Sequence, residues 1–362
     1  MARRLFLLNL PMGLLFFALA AWLLDPDPPG EKTPAPFDLL GYLLLIGWII
    51  PLVVMVDMGQ YWGWTNSPFF VPWLAMFLVA AFLFVVWGLF ASEPLINLHP
   101  FRVRNFSFGI LVKVIFSINM YVQLSFLGTY MTDLRGYQWW EGALVLVFGA
   151  AAMLTSILAG LLWTGHRTRK ARMGLGLVGM ASATWLLSYV DLYTSKVWIA
   201  CVIFLWALAA GIVVVPALLT IFEDLSPAQV FRSAGVFNIM RSIPAFAVGT
   251  LGVAWFTQTA DGNFDLWRLD ITHNRPIVRS TSRRLEQHFR ERGSASTVAL
   301  KQTHATLGQW VHANSKAYAF GSILGYLALL TFIGSTAAFF VRAPDPRLTP
   351  PRELLHLAFG TA

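Results

Sequence analysis

The residues able to do chemistry in this chain are few, and their positions say more than their number. Eighteen Asp and Glu and seven His are available for proton or metal chemistry. Almost all fall in polar stretches between long apolar runs. Asp38, Asp57 and Glu141 stand at the ends of such runs, and none sits near the middle of one. The histidines, at 99, 166, 273, 288, 304, 312 and 356, all lie outside the runs. The cations differ: Lys113 and Arg241 both lie about two turns inside apolar stretches. An Arg so placed faces a bundle interior or a water-filled path and pairs with carbonyls or an acid, as anchor or as part of a path. Lys113 is placed to snorkel toward an interface. Asn119 and Gln123, four apart in SINMYVQLSF, share one helix face. They are candidates to line a polar path or to hydrogen-bond a neighbouring helix. No Cys/His metal spacing, phosphate-cradling glycine loop, HExxH pair or DDxxD-type cluster occurs. No catalytic residue, metal or cofactor is therefore expected, and an enzyme is not. Cys201 is the single cysteine, so no internal disulfide can form.

The elements that must position these groups are membrane helices. The chain has 362 residues, 57% hydrophobic and 12% charged, about half the charge of a soluble domain. Fifteen Trp fit helices with interfacial aromatic belts. Nine runs are long enough to cross a bilayer: 5–24, 38–56, 70–91, 107–131, 141–163, 173–190, 197–222, 234–257 and 317–341. Asn9 and Pro11 in MARRLFLLNLPMG read as an N-cap and a first-turn proline. Pro216 and Pro244 interrupt two later runs, which membrane helices tolerate.

Charge sets orientation. The loops 25–37, 92–106, 164–172 and 223–233 with the tail after 341 hold eleven Lys and Arg, against four in the opposite short segments. The basic side is cytoplasmic, which puts the C-terminus inside and the N-terminus of this chain outside. The net charge of +8 then serves orientation and anionic lipid rather than nucleic acid. A stretch from 258 to 316, with nine Lys and Arg against five acids, is expected as a long, partly helical extracytoplasmic loop, either a partner-docking surface or a solvated cap.

Three stretches carry a specific resemblance. RRLFLLNLPMG resembles the W-R-W-x-F-x-I-N-x-P-x-G signature of fourteen-span major facilitator drug exporters of the EmrB/QacA type, with Asn9, Pro11 and Gly13 in register. SEPLINLHPFRVRNFSFG resembles that family's P-[IL]-[IV]-[DN]-L-x-x-F-[RK]-x-R-N-F stretch, through Arg102, Arg104 and Asn105. FNIMRSIPAFAVG is similar to its N-x-x-R, through Asn238 and Arg241. The family's G-[RK]-L-x-D-[RK]-x-G motif should follow Gly160. Here the sequence is GLLWTGHRTRKARMG, which keeps basic residues, Arg167 among them, without the Asp. Val147 replaces a proline expected five residues after Gly142.

The resemblance implies an all-α polytopic membrane protein with an incomplete major facilitator fold of about nine spans, corresponding to spans six to fourteen. Residues 1–24 would be the last helix of the N-terminal half and 25–106 would hold two linker helices and a cytoplasmic loop. Residues 107–257 would be five helices of the C-terminal half, 258–316 the outer loop, and 317–362 the last span with its cytoplasmic tail. The implied parent activity is proton-driven export of amphipathic or lipophilic compounds across the cell (inner) membrane, with the proton site in spans missing here. Asn119, Gln123, Asn238 and Arg241 would face the substrate path. Asn9, Pro11, Gly13, Arg102, Arg104, Asn105, Gly160, Arg167 and Pro216 would serve gating or structure. Membrane lipid and an amphipathic small molecule are the expected partners. A cell with two membranes would add a periplasmic adaptor and outer-membrane channel meeting 258–316. The competing expectation is a non-transporting remnant that modulates an intact exporter.

Overall fold

The computed structural model describes residues 2–23, 38–91, 94–162, 166–225, 227–270 and 276–342. The chain divides into two units, 1–37 and 38–362. The first contributes α1 (Ala2–Leu23), with Pro11 inside it. This corrects the expected helix start at Asn9. The apolar sequence from Leu5 is helical on its own account, and Pro11 removes only its own N–H bond to the preceding turn. The side chain of Asn9 lies outside the described residues. Gly13 is exposed, with open space where a Cβ would be.

The second unit opens with a helical hairpin, α2 (Leu39–Trp62) and α3 (Phe70–Phe90). Asp38 caps α2 by accepting from Gly41 N at 2.8 Å. The same carboxylate accepts from Trp87 Nε1 at 3.0 Å and Leu95 N at 2.8 Å, so one acid fastens both ends of the hairpin. Burial pushes this carboxyl up, but those donors more than offset it and hold it below its ordinary value. α2 stops at Gly63, whose φ of 78° lies in the left-handed region that glycine occupies without penalty. Trp48 packs between Phe77 and Phe84 inside the hairpin.

Then come α4 (Arg104–Thr129), α5 (Trp139–Leu162), α6 (His166–Leu187), α7 (Lys196–Phe222), α8 (Pro227–Asp270), α9 (Pro276–Glu291) and α10 (Ser296–Ser335). A one-turn π-helix, Tyr130–Leu134, extends α4, and a 3₁₀ turn, Thr336–Phe340, extends α10. Close approach rests on small residues, as in membrane bundles generally. A Cβ on Gly211 of α7 would stand 1.9 Å from Ser156 Oγ of α5, and one on Gly176 of α6 2.4 Å from Val213 of α7. α7 continues unbroken through Pro216, and Thr220 Oγ1 donates to the Pro216 carbonyl at 2.7 Å. A continuous core of α4, α6, α7 and α10 side chains is sealed by the stacked rings of Tyr130 and Phe320, 4.8 Å apart.

Seven of the described helices are long and apolar enough to cross a membrane. Of the nine expected spans, those of α1 and α6 are helices of 22 residues each that are not among the seven. In α6 the opening HRTRKAR and a run of Gly, Ser and Thr dilute the apolar character.

The stretch expected as a partly helical loop is nearly all helix where it is described. α8 has 44 residues and α10 has 40, roughly 60–66 Å at 1.5 Å per residue, about twice a hydrocarbon core. Both project beyond their apolar segments and stay in contact, Trp267 against Tyr318 and Phe264 edge-on to His312.

Candidate functional site

The sequence candidates separate into three places in the second unit. On α4, Asn119 is fully enclosed. Its Nδ2 donates to Thr331 Oγ1 at 2.9 Å and Thr184 Oγ1 at 3.2 Å, and its Oδ1 accepts from Trp206 Nε1 at 2.9 Å. One amide thus joins α4, α6, α7 and α10. Gln123, one turn on, is equally buried, yet neither end of its amide has a partner among the described residues.

The second place is the facing stretch of α4 and α8. Lys113 is buried, with Nζ 4.3 Å from the centre of the Phe116 ring. It rests on an aromatic face instead of snorkelling outward, an arrangement that offsets part of the cost of a cation out of water. Arg241 lies within Coulombic reach on α8. Asn238, Arg241 and Ser242 are all exposed, at helical spacing on one face. The other side of α8 supplies Val236, Phe237, Ile239 and Met240 to a core shared with α2, α3 and α4. A polar, electropositive strip therefore lies on a helix held by apolar contacts behind it. No Asp or Glu pairs with Lys113 or Arg241 among the described residues.

The third place gathers the basic motifs at the starts of α4 and α6. Asn105 Nδ2 donates to Asp224 Oδ2 at 2.7 Å, and its Oδ1 accepts from Arg342 N at 2.8 Å. Arg104 Nε donates to the Phe340 carbonyl at 2.9 Å. The start of α4 is thereby tied to the ends of α7 and α10. Arg102 is exposed. Arg169 pairs with Glu223 at the end of α7, both largely buried. Arg172 Nη1 donates to the Gly160 carbonyl at 3.3 Å. A Cβ on Gly160 would find Val215 at an ordinary 3.8 Å. The side chain of Arg167 lies outside the described residues. Glu223, at the C-terminal cap of α7, pairs with this basic cluster. Nothing in the local sequence marks Glu223 or Asp224 as such a partner; both read as loop acids.

At the opposite end of the bundle Lys196 pairs with Glu141, whose carboxylate also accepts from Gln138 N at 3.0 Å. The carboxyl of Asp191 is held below its ordinary range by Thr194 and Tyr193 N.

Among the described residues the arrangement has no nucleophile–base pair and no group of His, Cys, Asp and Glu able to hold a metal. A polar strip on a membrane bundle suits passage or binding of a solute. A model of the Major Facilitator Superfamily matches residues 2–249, well over half of the chain. The chain belongs to the major facilitator superfamily. Relatives agree at low identity. It is 26% identical over 157 residues to the probable multidrug resistance protein EmrY of Escherichia coli, covering 43% of this chain and 30% of that protein. It is 25% identical over 250 residues to the multidrug transporter protein MdtP of Bacillus subtilis, covering 68% of this chain and 45% of the relative. With the tetracenomycin C resistance and export protein of Streptomyces glaucescens the figures are 24% over 358 residues, 96% and 64%. The chain thus spans less than two thirds of the length of each of these relatives. The superfamily match takes in α1 to α7 and α8 as far as Gly249, so α9 and α10 lie beyond it. Seven apolar helices and this membership make it an integral membrane protein, consistent with an inner-membrane location.

Proposed function

We propose that this chain forms one wall of the substrate path in a proton-driven exporter of amphipathic or lipophilic compounds. The observation that carries the reading is the exposed strip of Asn238, Arg241 and Ser242 on α8, beside Lys113 on α4. Major facilitator proteins bind substrate near the midplane, between two halves that rock against each other. A wall with fixed cations and no acid attracts the anionic or polar end of an amphiphile, and the apolar side chains around it take the rest. The facing wall and the proton-loading acid would come from the portion of its relatives that this chain does not span. In this reading Arg102, Arg104, Asn105, Gly160, Arg167 and Pro216 brace the moving helices at the cytoplasmic end. Asn9, Pro11 and Gly13 belong to the last helix of the opposing half. The tail after Val341 is cytoplasmic. In a cell with two membranes, the projecting ends of α8 and α10 with α9 would meet a periplasmic adaptor and outer-membrane channel.

The test is dye efflux from cells making the protein from its own locus, with Arg241→Gln and Lys113→Met compared with the unaltered chain at equal membrane abundance. The expected result is efflux reduced toward that of cells lacking the chain. Efflux unchanged by both substitutions would remove the wall.

One observation supports a second reading. Among the described residues of α4 to α7, no Asp, Glu or His lies in the middle of a span, so no proton relay stands in this bundle. The alternative is a non-transporting membrane protein that associates with an intact exporter. An antibody to the C-terminal tail separates the two by intact mass in native membranes. A species near 40.4 kDa that cross-links to a full-length exporter favours the second; a larger single chain favours the first.

A further inference from the structure

Between the ends of α6, α8 and α10 the bundle holds a groove of about 850 Å³, within the size range of small-molecule sites. Five of its lining side chains are aromatic: Trp185 and Tyr189 from α6, Trp267 from α8, and Trp310 and Tyr318 from α10. On the α6 wall Trp185 meets Tyr189 edge-on at 5.9 Å. On the α8–α10 wall Trp267 meets Tyr318 in the same way at 5.8 Å. One charged residue lines the groove among the described residues, Asp191. The polar strip of α4 and α8 plays no part in it.

The groove changes character along its length. At one end Trp310 Nε1 reaches Tyr193 Oη at 3.4 Å, two residues from Asp191. At the other, a Cβ on Gly321 would stand 2.4 Å from the Ser188 carbonyl oxygen, and one on Gly325 3.9 Å from Ser188 Cβ. α10 therefore carries the groove from the level of Asp191 to that of Ser188. From Trp310 to Gly325 this is roughly 22 Å at 1.5 Å per residue. The Trp310 end lies outside the apolar run 317–341, and Gly325 lies within it. A ligand that follows the groove meets a charge at one end and an apolar floor at the other.

The carboxylate of Asp191 has an oxygen to offer. Its Oδ1 accepts from Thr194 Oγ1 at 2.7 Å and Tyr193 N at 2.9 Å, and these bonds keep it ionised. No described residue donates to Oδ2. Arg135 acts on the carboxylate through space, while its Nη2 donates to the Thr194 carbonyl and to Tyr137 Oη. Aromatic faces beside a carboxylate suit an ammonium. A phosphate would face the carboxylate with no cation opposite. The free oxygen takes an N–H donor, which a primary ammonium has and a quaternary one lacks.

We propose that this groove binds a cationic amphiphile with a primary ammonium head, its nitrogen at Asp191 and its apolar body running along the aromatic walls toward Gly325. Bound there, the ligand bridges the end of α6 to α8 and α10. The site lies apart from the α4–α8 strip and does not depend on that strip lining a substrate path.

The test is native mass spectrometry of the full chain in neutral detergent at pH 7. Decylamine, decyltrimethylammonium, decanol, ethylamine and phosphatidylethanolamine are titrated separately; a primary alkylamine is protonated at that pH. The expected result is one decylamine retained per chain, with each of the other four weaker by about fivefold or more. Asp191→Asn keeps the acceptor that holds the turn and removes the charge. It should weaken decylamine about fivefold and leave decanol unchanged. Trp185→Leu with Tyr189→Leu, both at exposed side chains, should weaken decylamine about tenfold. Decylamine binding unchanged in both variants would overturn the site, as would equal retention of decanol or decyltrimethylammonium by the unaltered chain. Ethylamine bound as tightly would overturn it by showing that no apolar body is needed. Phosphatidylethanolamine bound as tightly would overturn it in favour of a bulk lipid head group. Failure of the unaltered chain to retain decylamine would overturn it outright.

Discussion

Asn119 Oδ1 accepts a hydrogen bond from Trp206 Nε1 at 2.9 Å, with neither side chain open to water. The amide of Asn119 also serves Thr184 and Thr331, so a single side chain satisfies polar groups on three other helices. In an apolar interior the cost of deleting such a group lies in the donors and acceptors left behind. Asn119→Leu should therefore lower stability by about 1–3 kcal/mol, read as denaturant or thermal unfolding in detergent. Trp206→Phe removes one of the orphans that Asn119→Leu would create. The double variant should then lose less than the sum of the two single variants, by about 0.5 kcal/mol or more. Strict additivity would mean that the bond contributes nothing.

Glycine supplies a paired prediction. A Cβ on Gly321 of α10 would lie 2.4 Å from the carbonyl oxygen of Ser188 at the end of α6. That is backbone against backbone, so no rotamer change relieves it. Gly321→Ala should separate the two helices and lower the unfolding midpoint clearly. On Gly160 a Cβ meets nothing nearer than 3.8 Å among the described residues. Gly160→Ala should therefore gain about 0.5–1 kcal/mol from restricted unfolded-state freedom and better helix propensity. If both changes destabilise alike, Gly160 has a constraint that packing does not express.

At the α9 end of the bundle the prediction is one of pH. Asp191, in the turn after α6, is held below its ordinary value of 3.8 by Thr194 and Tyr193 N. A carboxyl that ionises more readily in the folded state adds stability wherever it is charged in both states, and loses it as pH falls through the folded value. The melting temperature of the unaltered protein should thus exceed that of Asp191→Asn at pH 7. The gap should begin to close below about pH 4 and vanish in stronger acid. A gap that is constant across pH would assign the effect to shape instead of charge.

Long apolar runs made the helical bundle legible because a bilayer allows little else to a twenty-residue apolar segment. The start of α1 is hidden in the sequence, because Asn9 and Pro11 look like a helix start whether or not the preceding residues are already helical. The segment 258–316 reads as a partly helical loop because its charge resembles that of any solvated segment. Composition does not show that α8 and α10 run unbroken into it from the spans on either side. Asn119 and Gln123 illustrate the limit for a site. Their spacing gives the shared face but not what waits opposite: for Asn119 three partners, for Gln123 none. Lys113 shows the same limit, since a buried ring beneath the ammonium cannot be distinguished by sequence from a path to the interface. Partners supplied by distant segments carry no local signal.

Glu223 is such a partner, and its pairing with Arg169 makes the strongest stability prediction. Both side chains are largely buried, 11% and 15% exposed, and Arg172 stands beside them with Nε and Nη2 unpartnered. Removing Glu223 alone would leave the largely buried Arg169 guanidinium without its carboxylate partner, which in comparable buried pairs costs about 3–5 kcal/mol. Glu223→Gln should accordingly be far more damaging than a surface neutralisation. Combining it with Arg169→Met should restore much of the loss, because the buried charge is gone. The measurement is the unfolding free energy of the two single variants and the double variant at one pH. A loss below about 1 kcal/mol for Glu223→Gln would place the pair with exposed salt bridges. In that event the hold of α6 on the end of α7 would rest on buried contacts such as that of Met173 with Thr220, and not on charge.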